Sequence, residues 1–200
     1  RQPADFCGVI GLKPGYGTIS RHGLIAYASS FDQIGIFGNT ATDVALVLEV
    51  ISQPDNADST MDHNRPRFNA SDMKPSGKEK YRIAVFRQVI NHPSLDSEIR
   101  QSIQHTLEKL QQEGHQITEL DFELIDYIVP TYYVLTAAEA SSNLSRYDGI
   151  RYGYNSKEQT NNLTDYYIIN RTEGFGKEVK RRIILGTYAL SSGYYDAYYG

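Results

Sequence analysis

The stretch from Tyr81 to Leu120 constrains this chain more than any other. Tyr81-Arg82-Ile83-Ala84-Val85-Phe86 is a short strand-like run. Asp96 to Glu113 carries Ile99, Ile103, Leu107 and Leu110 on one helical stripe, and Gly114 suits the left-handed position that closes a helix. Gln116-Ile117-Thr118-Glu119-Leu120 then resumes as a second strand. Strand, helix of about five turns and strand within roughly forty residues form a βαβ unit, whose strands are parallel and whose crossover is right-handed. The fold class expected is therefore α/β.

Residues 1–38 hold glycines at 8, 11, 15, 17, 23, 35 and 38 with short apolar runs between them, which reads as tightly packed loops and short strands. Thr40-Ala41-Thr42-Asp43 is a helix-start signature, and Ala41, Val44, Ala45, Leu48 and Ile51 follow at helical spacing, predicting a helix over about 41–52. Residues 55–80 are polar and aperiodic, a surface loop that is expected to be mobile. Pro130 suits the first turn of a helix whose stripe is Tyr133, Ala137, Ala140 and Leu144, ending near Asp148-Gly149. A last helix, about 176–199, keeps Val179, Ile183, Gly186, Leu190 and Ala197 in register.

Composition narrows the function classes. Twenty basic against 24 acidic residues give a net charge of -4, which argues against a general nucleic-acid surface. No run of about eighteen apolar residues exists, so no membrane-spanning helix is expected. The single cysteine, Cys7, suits a reducing compartment, and the cytoplasm is the expected location. Two hundred residues fit one domain or part of one. The abrupt first residues Arg1-Gln2-Pro3-Ala4 and the uncapped Tyr-rich end suggest an internal fragment, residues 1–200, of a single larger domain.

Few residues stand out chemically on spacing alone. Histidines 22, 63, 92, 105 and 115 show no i,i+4 pairing and Cys7 has no Cys-x-x-Cys neighbour, so no metal site is expected. The glycines around Lys13 lack the Gly-Lys-Ser/Thr ending of a phosphate cradle. Cys7, between Phe6 and Gly8-Val9-Ile10, reads as a buried structural thiol. Arg182 falls roughly 60° from Val179 around the last helix and flanks its apolar stripe, whereas Arg181 points to the opposite side. Such an arginine either snorkels or pairs with a structural acid, or it faces an anionic ligand. Tyr132 projects off the edge of its helix and is either a surface tyrosine or a hydroxyl facing a cavity.

Longer motifs carry a resemblance. Arg1-Gln2-Pro3-Ala4-Asp5-Phe6-Cys7-Gly8-Val9-Ile10-Gly11-Leu12-Lys13-Pro14 resembles the second half of the amidase signature. With Ser20 to Ala26, Ala28 to Gly35, Glu139 to Gly149 and Glu173 to Ile183, the chain resembles one branch of that family, the A subunits of the amidotransferases acting on glutamyl-tRNA(Gln) or aspartyl/glutamyl-tRNA. Residues 55–80 match poorly, and Gly15, Thr18, His22 and Gly38-Asn39 depart from the family's habits at loop positions.

The resemblance implies a central mixed sheet flanked by helices in the intact protein. It implies a subunit that hydrolyses glutamine and passes ammonia to a partner subunit, which amidates misacylated tRNA with ATP and Mg. No cofactor is implied for this chain. The expected partners are the other amidotransferase subunits, glutamine and, through the complex, misacylated tRNA, with no membrane. In this family a Ser-cisSer-Lys triad does the hydrolysis through an acyl-enzyme, and all three positions lie upstream of the matched stretch. No catalytic residue is therefore assigned here, and Ser29, Ser30, Ser141 and Ser142 receive no nucleophilic role. Two glutamine-contacting positions fall inside the chain, at Tyr132 and Arg182. Two rival readings are another amidase-signature hydrolase without a tRNA partner and a non-catalytic fragment that binds a partner through its tyrosine-rich second half. The 200 residues alone are expected to release no ammonia from glutamine; turnover abolished by substituting any of those four serines would overturn the assignment.

Overall fold

The computed structural model describes residues 1–73, 79–191 and 193–194. Contacts gather into two units, Pro75–Tyr132 and a larger one formed by Arg1–Lys74 with Tyr133–Gly200.

In the larger unit a one-and-a-half-turn helix, α1 (Gln2–Phe6), leads into β1 (Ile10–Leu12), which pairs antiparallel with β2 (Ile36–Gly38), Gly11 opposite Phe37. Helix α2 (Ala41–Ile51) starts where its local chemistry dictates. The Thr40 hydroxyl accepts from the Asp43 amide at 3.1 Å while the Asp43 carboxylate accepts from the Thr40 amide at 3.1 Å, a reciprocal cap. One face of α2 closes a small core of Ile19, Ile36 and Val44, with Leu12, Ile34, Leu48 and Ile51 packed against it. Its opposite face leaves Leu46, Val47 and Val50 exposed.

The smaller unit holds the predicted βαβ element. In it, β3 (Arg82–Phe86), a single turn α3 (Arg87–Ile90), α4 (Ser97–Gln112) and β4 (Gln116–Leu120) follow in order. The strands are parallel, with Arg82 opposite Gln116 and Phe86 opposite Leu120. Asp96 caps α4 by accepting from the Glu98 amide at 2.8 Å, and Gly114 closes it at φ 91°. No described residue of this unit is fully buried. Two strands and one helix cover only one sheet face, so Ile83, Val85, Ile103, Leu107 and Leu110 are half-buried while Ile99, Phe86 and Leu120 are exposed.

Three further helices are α5 (Ile128–Asn143), α6 (Leu163–Gly174) and α7 (Lys177–Ala189). Pro130 sits in the first turn of α5, as expected. Helix α5 stops at Asn143 rather than near Asp148, because a 3-10 turn over Leu144–Arg146 follows and the Arg146 side chain folds back to donate to the Asn143 carbonyl at 2.9 Å. Helix α7 is shorter than expected, with Leu190 as its cap, and the Ala197 position lies outside the described residues. Helix α6 is an addition to the sequence reading. The strands form two separate two-stranded sheets, one antiparallel and one parallel. No helix among the described residues is long and apolar enough to cross a membrane.

Within the larger unit α5 and α7 meet backbone to backbone. A Cβ added at Gly186 of α7 would run into the carbonyl oxygen of Ala137 on α5. The neighbours Ala137, Ala138, Ala140 and Ala189 are all buried, so small side chains on both helices permit the approach. An exposed helical glycine gains about 1 kcal/mol on conversion to alanine. Here the methyl has no room, and overpacking of about 1–3 kcal/mol outweighs the gain. Gly186→Ala is expected to lower the melting temperature of the intact protein; a rise would show that the two helices separate freely.

A candidate anion site built on Arg182

Arg182 and Arg181 are adjacent on α7, yet the first has a side chain 27% exposed and the second 59%. Arg182 donates from Nε to Glu178 Oε1 at 3.0 Å and from Nη1 to the Tyr27 hydroxyl at 2.9 Å. Its guanidinium carbon lies 6.0 Å from the Tyr133 ring centre, within cation–π range. A depression of about 280 Å³ opens beside it, lined by Tyr133, Thr136, Ala137, Arg181, Arg182 and Leu185.

Glu178 is shared. Arg181 grips it through Nε to Oε2 at 2.9 Å and Nη2 to Oε1 at 2.8 Å. The hydrogen bonds from Arg181 and Arg182 pull its carboxyl down to about 2. The Tyr27 hydroxyl, followed by Glu178, raises the already high pKa of Arg182 further. Two guanidinium groups against one carboxylate leave the cluster with one positive charge. Of the five N–H donors of Arg182, two are spent on Glu178 and Tyr27. Nη2 has no hydrogen-bond partner among the described residues. A carboxylate entering the depression would meet an oriented cation with donors to spare.

Tyr27 owes its position to a loop that is bracketed on several sides. Asp32 Oδ2 accepts from the amides of Tyr27 at 2.8 Å and Ala28 at 2.9 Å. From α5, Asn143 Nδ2 donates to the Tyr27 carbonyl at 3.2 Å, its Oδ1 accepts from the Ser29 hydroxyl at 3.0 Å, and Glu139 accepts from the Ser30 amide at 2.9 Å. Arg21 holds the loop through its Nη1 to the Ser29 carbonyl at 2.5 Å. Arg21 is in turn held by Asp58, which accepts from the Arg21 amide at 2.7 Å and from the Thr60 hydroxyl at 2.6 Å, while Thr60 accepts from Arg21 Nη2 at 3.0 Å. At Gly17 a positive φ of 73° and the Thr60 carbonyl, 2.7 Å from where a Cβ would stand, leave no place for a side chain.

Several expectations change. Arg182 flanks the apolar stripe as predicted, and both an acid partner and a cavity are present. Arg181 does not face away: it binds the same carboxylate and lines the same depression, because an i,i+3 reach from Glu178 draws its long side chain round the helix. Tyr133, expected in the core stripe, is half-exposed, its ring lining the depression. Tyr132 is half-exposed and falls in the 75–132 unit, whereas Arg182 belongs to the other. Cys7 is exposed rather than buried, since it follows the last turn of α1 beside an equally exposed Phe6. The 55–80 loop is not uniformly a solvated surface: Asp58 and Met61 are buried in it, because the carboxylate is needed against Arg21. Sequence spacing could have found Glu178, four residues before Arg182. Nothing local could have found Tyr27.

Residues 1–200 match the profile of the family described as Amidase. The chain belongs to the amidase family. It is 49% identical over 200 residues to the A subunit of the glutamyl-tRNA(Gln) amidotransferase of Leptospira interrogans serovar Lai, and 50% identical over 199 residues to that of Prosthecochloris aestuarii. All of the chain is covered in both comparisons, against 40% and 41% of the relatives, so it spans about two fifths of their length. Among solved structures, the A subunit of the glutamyl-tRNA(Gln) amidotransferase of Thermotoga maritima superposes with a TM-score of 0.67 at 34% identity, covering 100% of this chain and 38% of that one. The peptide amidase of Stenotrophomonas maltophilia superposes with a TM-score of 0.66 at 19% identity, covering 99% and 40%, a likeness of fold alone. The α/β class is thus that of the amidase fold.

The Asp58 carboxyl is lowered from 3.8 to about 2, chiefly by the Thr60 hydroxyl and then by the Arg21 and Thr60 amides. With the folded value below the unfolded one, its stabilisation is complete above about pH 4 and is lost as pH falls through about 2. Asp58→Asn is expected to flatten the acid limb of the intact protein's melting-temperature profile between those values, and to lower the melting temperature at neutral pH. An unchanged acid limb would show that the loop does not depend on this charge.

Proposed function

We propose that the chain is part of a glutamine-hydrolysing subunit of a tRNA-dependent amidotransferase, with Arg182 binding the α-carboxylate of glutamine. In this reading the intact protein releases ammonia, and a partner subunit uses it, with ATP and Mg, to convert glutamyl-tRNA(Gln) to glutaminyl-tRNA(Gln). The near-half identity to proteins of that name supports the overall activity. The observation that carries the substrate assignment is the singly positive Arg182 cluster at the edge of a depression, with a guanidinium edge still available.

The chemistry assigned to this chain is binding and orientation. A planar fork takes a carboxylate through two parallel N–H···O bonds, fixing the amide end of the substrate relative to the nucleophile supplied elsewhere in the protein. Tyr132 is proposed as a second glutamine contact, its hydroxyl orienting the ligand. ATP and Mg are assigned to the partner, not to this chain.

The test uses the intact protein assembled with its partner subunits. Arg182→Ala removes a charge-assisted contact of about 1.5–3 kcal/mol, a loss of roughly tenfold to 150-fold in kcat/KM for glutamine. Free ammonia is expected to restore tRNA amidation in the variant. Lys177, exposed at the start of α7, is the control, because Arg181 shares Glu178 and the depression with Arg182. Equal losses in Arg182→Ala and Lys177→Ala, or failure of ammonia to restore amidation, would leave Arg182 a structural partner of Glu178.

A further inference from the structure

Arg182 is reached from two directions that differ in kind. Glu178 is one turn away on the same helix, so its contact with Nε travels with α7 and fixes the guanidinium only relative to that helix. Tyr27 lies 155 residues earlier in the sequence, on the loop bracketed by Asp32, Asn143, Glu139 and Arg21. Among the described residues its hydroxyl gives the Arg182 head its one hydrogen bond to something other than α7, beside the looser contact with the Tyr133 ring at 6.0 Å. Without it the guanidinium keeps one hydrogen-bonded anchor and the freedom to swing about the bonds of its own long side chain. Glu178 holds only Nε, on an oxygen it shares with Arg181, and leaves the Nη1 and Nη2 end of the guanidinium to Tyr27.

The loop's own construction fits this task. Its backbone is held at the Tyr27 amide and carbonyl, at the Ser29 carbonyl and at the Ser30 amide, so the phenol projects from a fixed base. Two of those holds come from α5, whose middle also supplies Tyr133, Thr136 and Ala137 to the depression. The loop that aims Arg182 and the wall of the space it faces are therefore set by one helix. In accepting from Arg182, the Tyr27 oxygen brings no negative charge, so the site keeps its net positive character.

We propose that Tyr27 is a positioning residue for glutamine: it orients the Arg182 guanidinium toward the substrate carboxylate without touching the reacting atoms. This rests on the assignment of Arg182 as the carboxylate site. Loss of the hydroxyl leaves the cation present but less often aimed, so the defect falls on substrate capture rather than on the chemical step.

The experiment is a double-mutant cycle in the intact protein with its partner subunits, measuring glutamine hydrolysis and, separately, ammonia-driven tRNA amidation. Tyr27→Phe, which keeps the ring and removes one oxygen, is expected to raise KM for glutamine roughly three- to tenfold with kcat within about twofold. In an Arg182→Ala background the same change is expected to have almost no further effect, because Tyr27 then has no guanidinium to orient. Ammonia-driven amidation and the melting temperature are expected to stay at wild-type values. An unchanged KM, or a loss of equal size in both backgrounds, overturns the positioning role while leaving Arg182 as the carboxylate site. If Arg182→Ala itself leaves KM and kcat for glutamine intact, the substrate assignment fails and the role of Tyr27 falls with it.

Discussion

The approach of α7 to α5 at Gly186 and Ala137 is the constraint on which the Arg182 site depends. Because the Gly186 backbone abuts the Ala137 carbonyl, the two helices are locked at one point rather than sliding along a bed of larger side chains. Arg182 lies one turn before that point on α7, and Thr136 beside it on α5. The depression lies beside that contact, lined by Tyr133, Thr136 and Ala137 of α5 and by Arg181, Arg182 and Leu185 of α7. The contact itself is made by backbone, and backbone cannot repack as side chains do.

Helix α5 serves two faces at once. Toward α7 it offers the backbone of Ala137 and Ala138, and Ala137, Ala138 and Ala140 are all buried. Toward the loop it offers Glu139 and Asn143, both spent on that loop's backbone and hydroxyl groups. Ser29 is drawn into the same framework: its hydroxyl donates to Asn143 and its carbonyl accepts from Arg21. The cluster on α7 is then oriented against a framework rather than against solvent.

How far this is legible in the sequence divides along a physical line. Elements whose cause is local can be read directly: the Thr40–Asp43 cap that starts α2, the Asp96-to-Gly114 span of α4, Pro130 in the first turn of α5 and the parallel pairing forced by a helical crossover. Helix α6 escapes such a reading because its periodic signal is poor; its one fully buried residue is Asn170, and tyrosines and isoleucines are scattered round it. Asp58 escapes for a related reason: a buried carboxylate in a polar loop has no sequence signature, being set by Arg21 and Thr60 alone. Cys7 misleads, because apolar neighbours in sequence are not apolar surroundings in space. The site itself is half legible. Arg182 shows as an edge residue on a helical wheel, and Tyr27 does not show at all, since only the folded chain brings residues 155 apart to 2.9 Å.

Helix α2 is apolar on both sides, and its outer row of Leu46, Val47 and Val50 faces water, Val50 at 71%. Such a row leaves the stability of the fold almost untouched, since it is equally wet when the chain is unfolded. Its effect depends instead on concentration. Contact between two such rows removes apolar surface from water at no cost in desolvated charge, and a formal net charge of -4 spread over 200 residues opposes it weakly. In dilute solution α2 is an ordinary surface helix; its outer row gains weight only as the concentration rises.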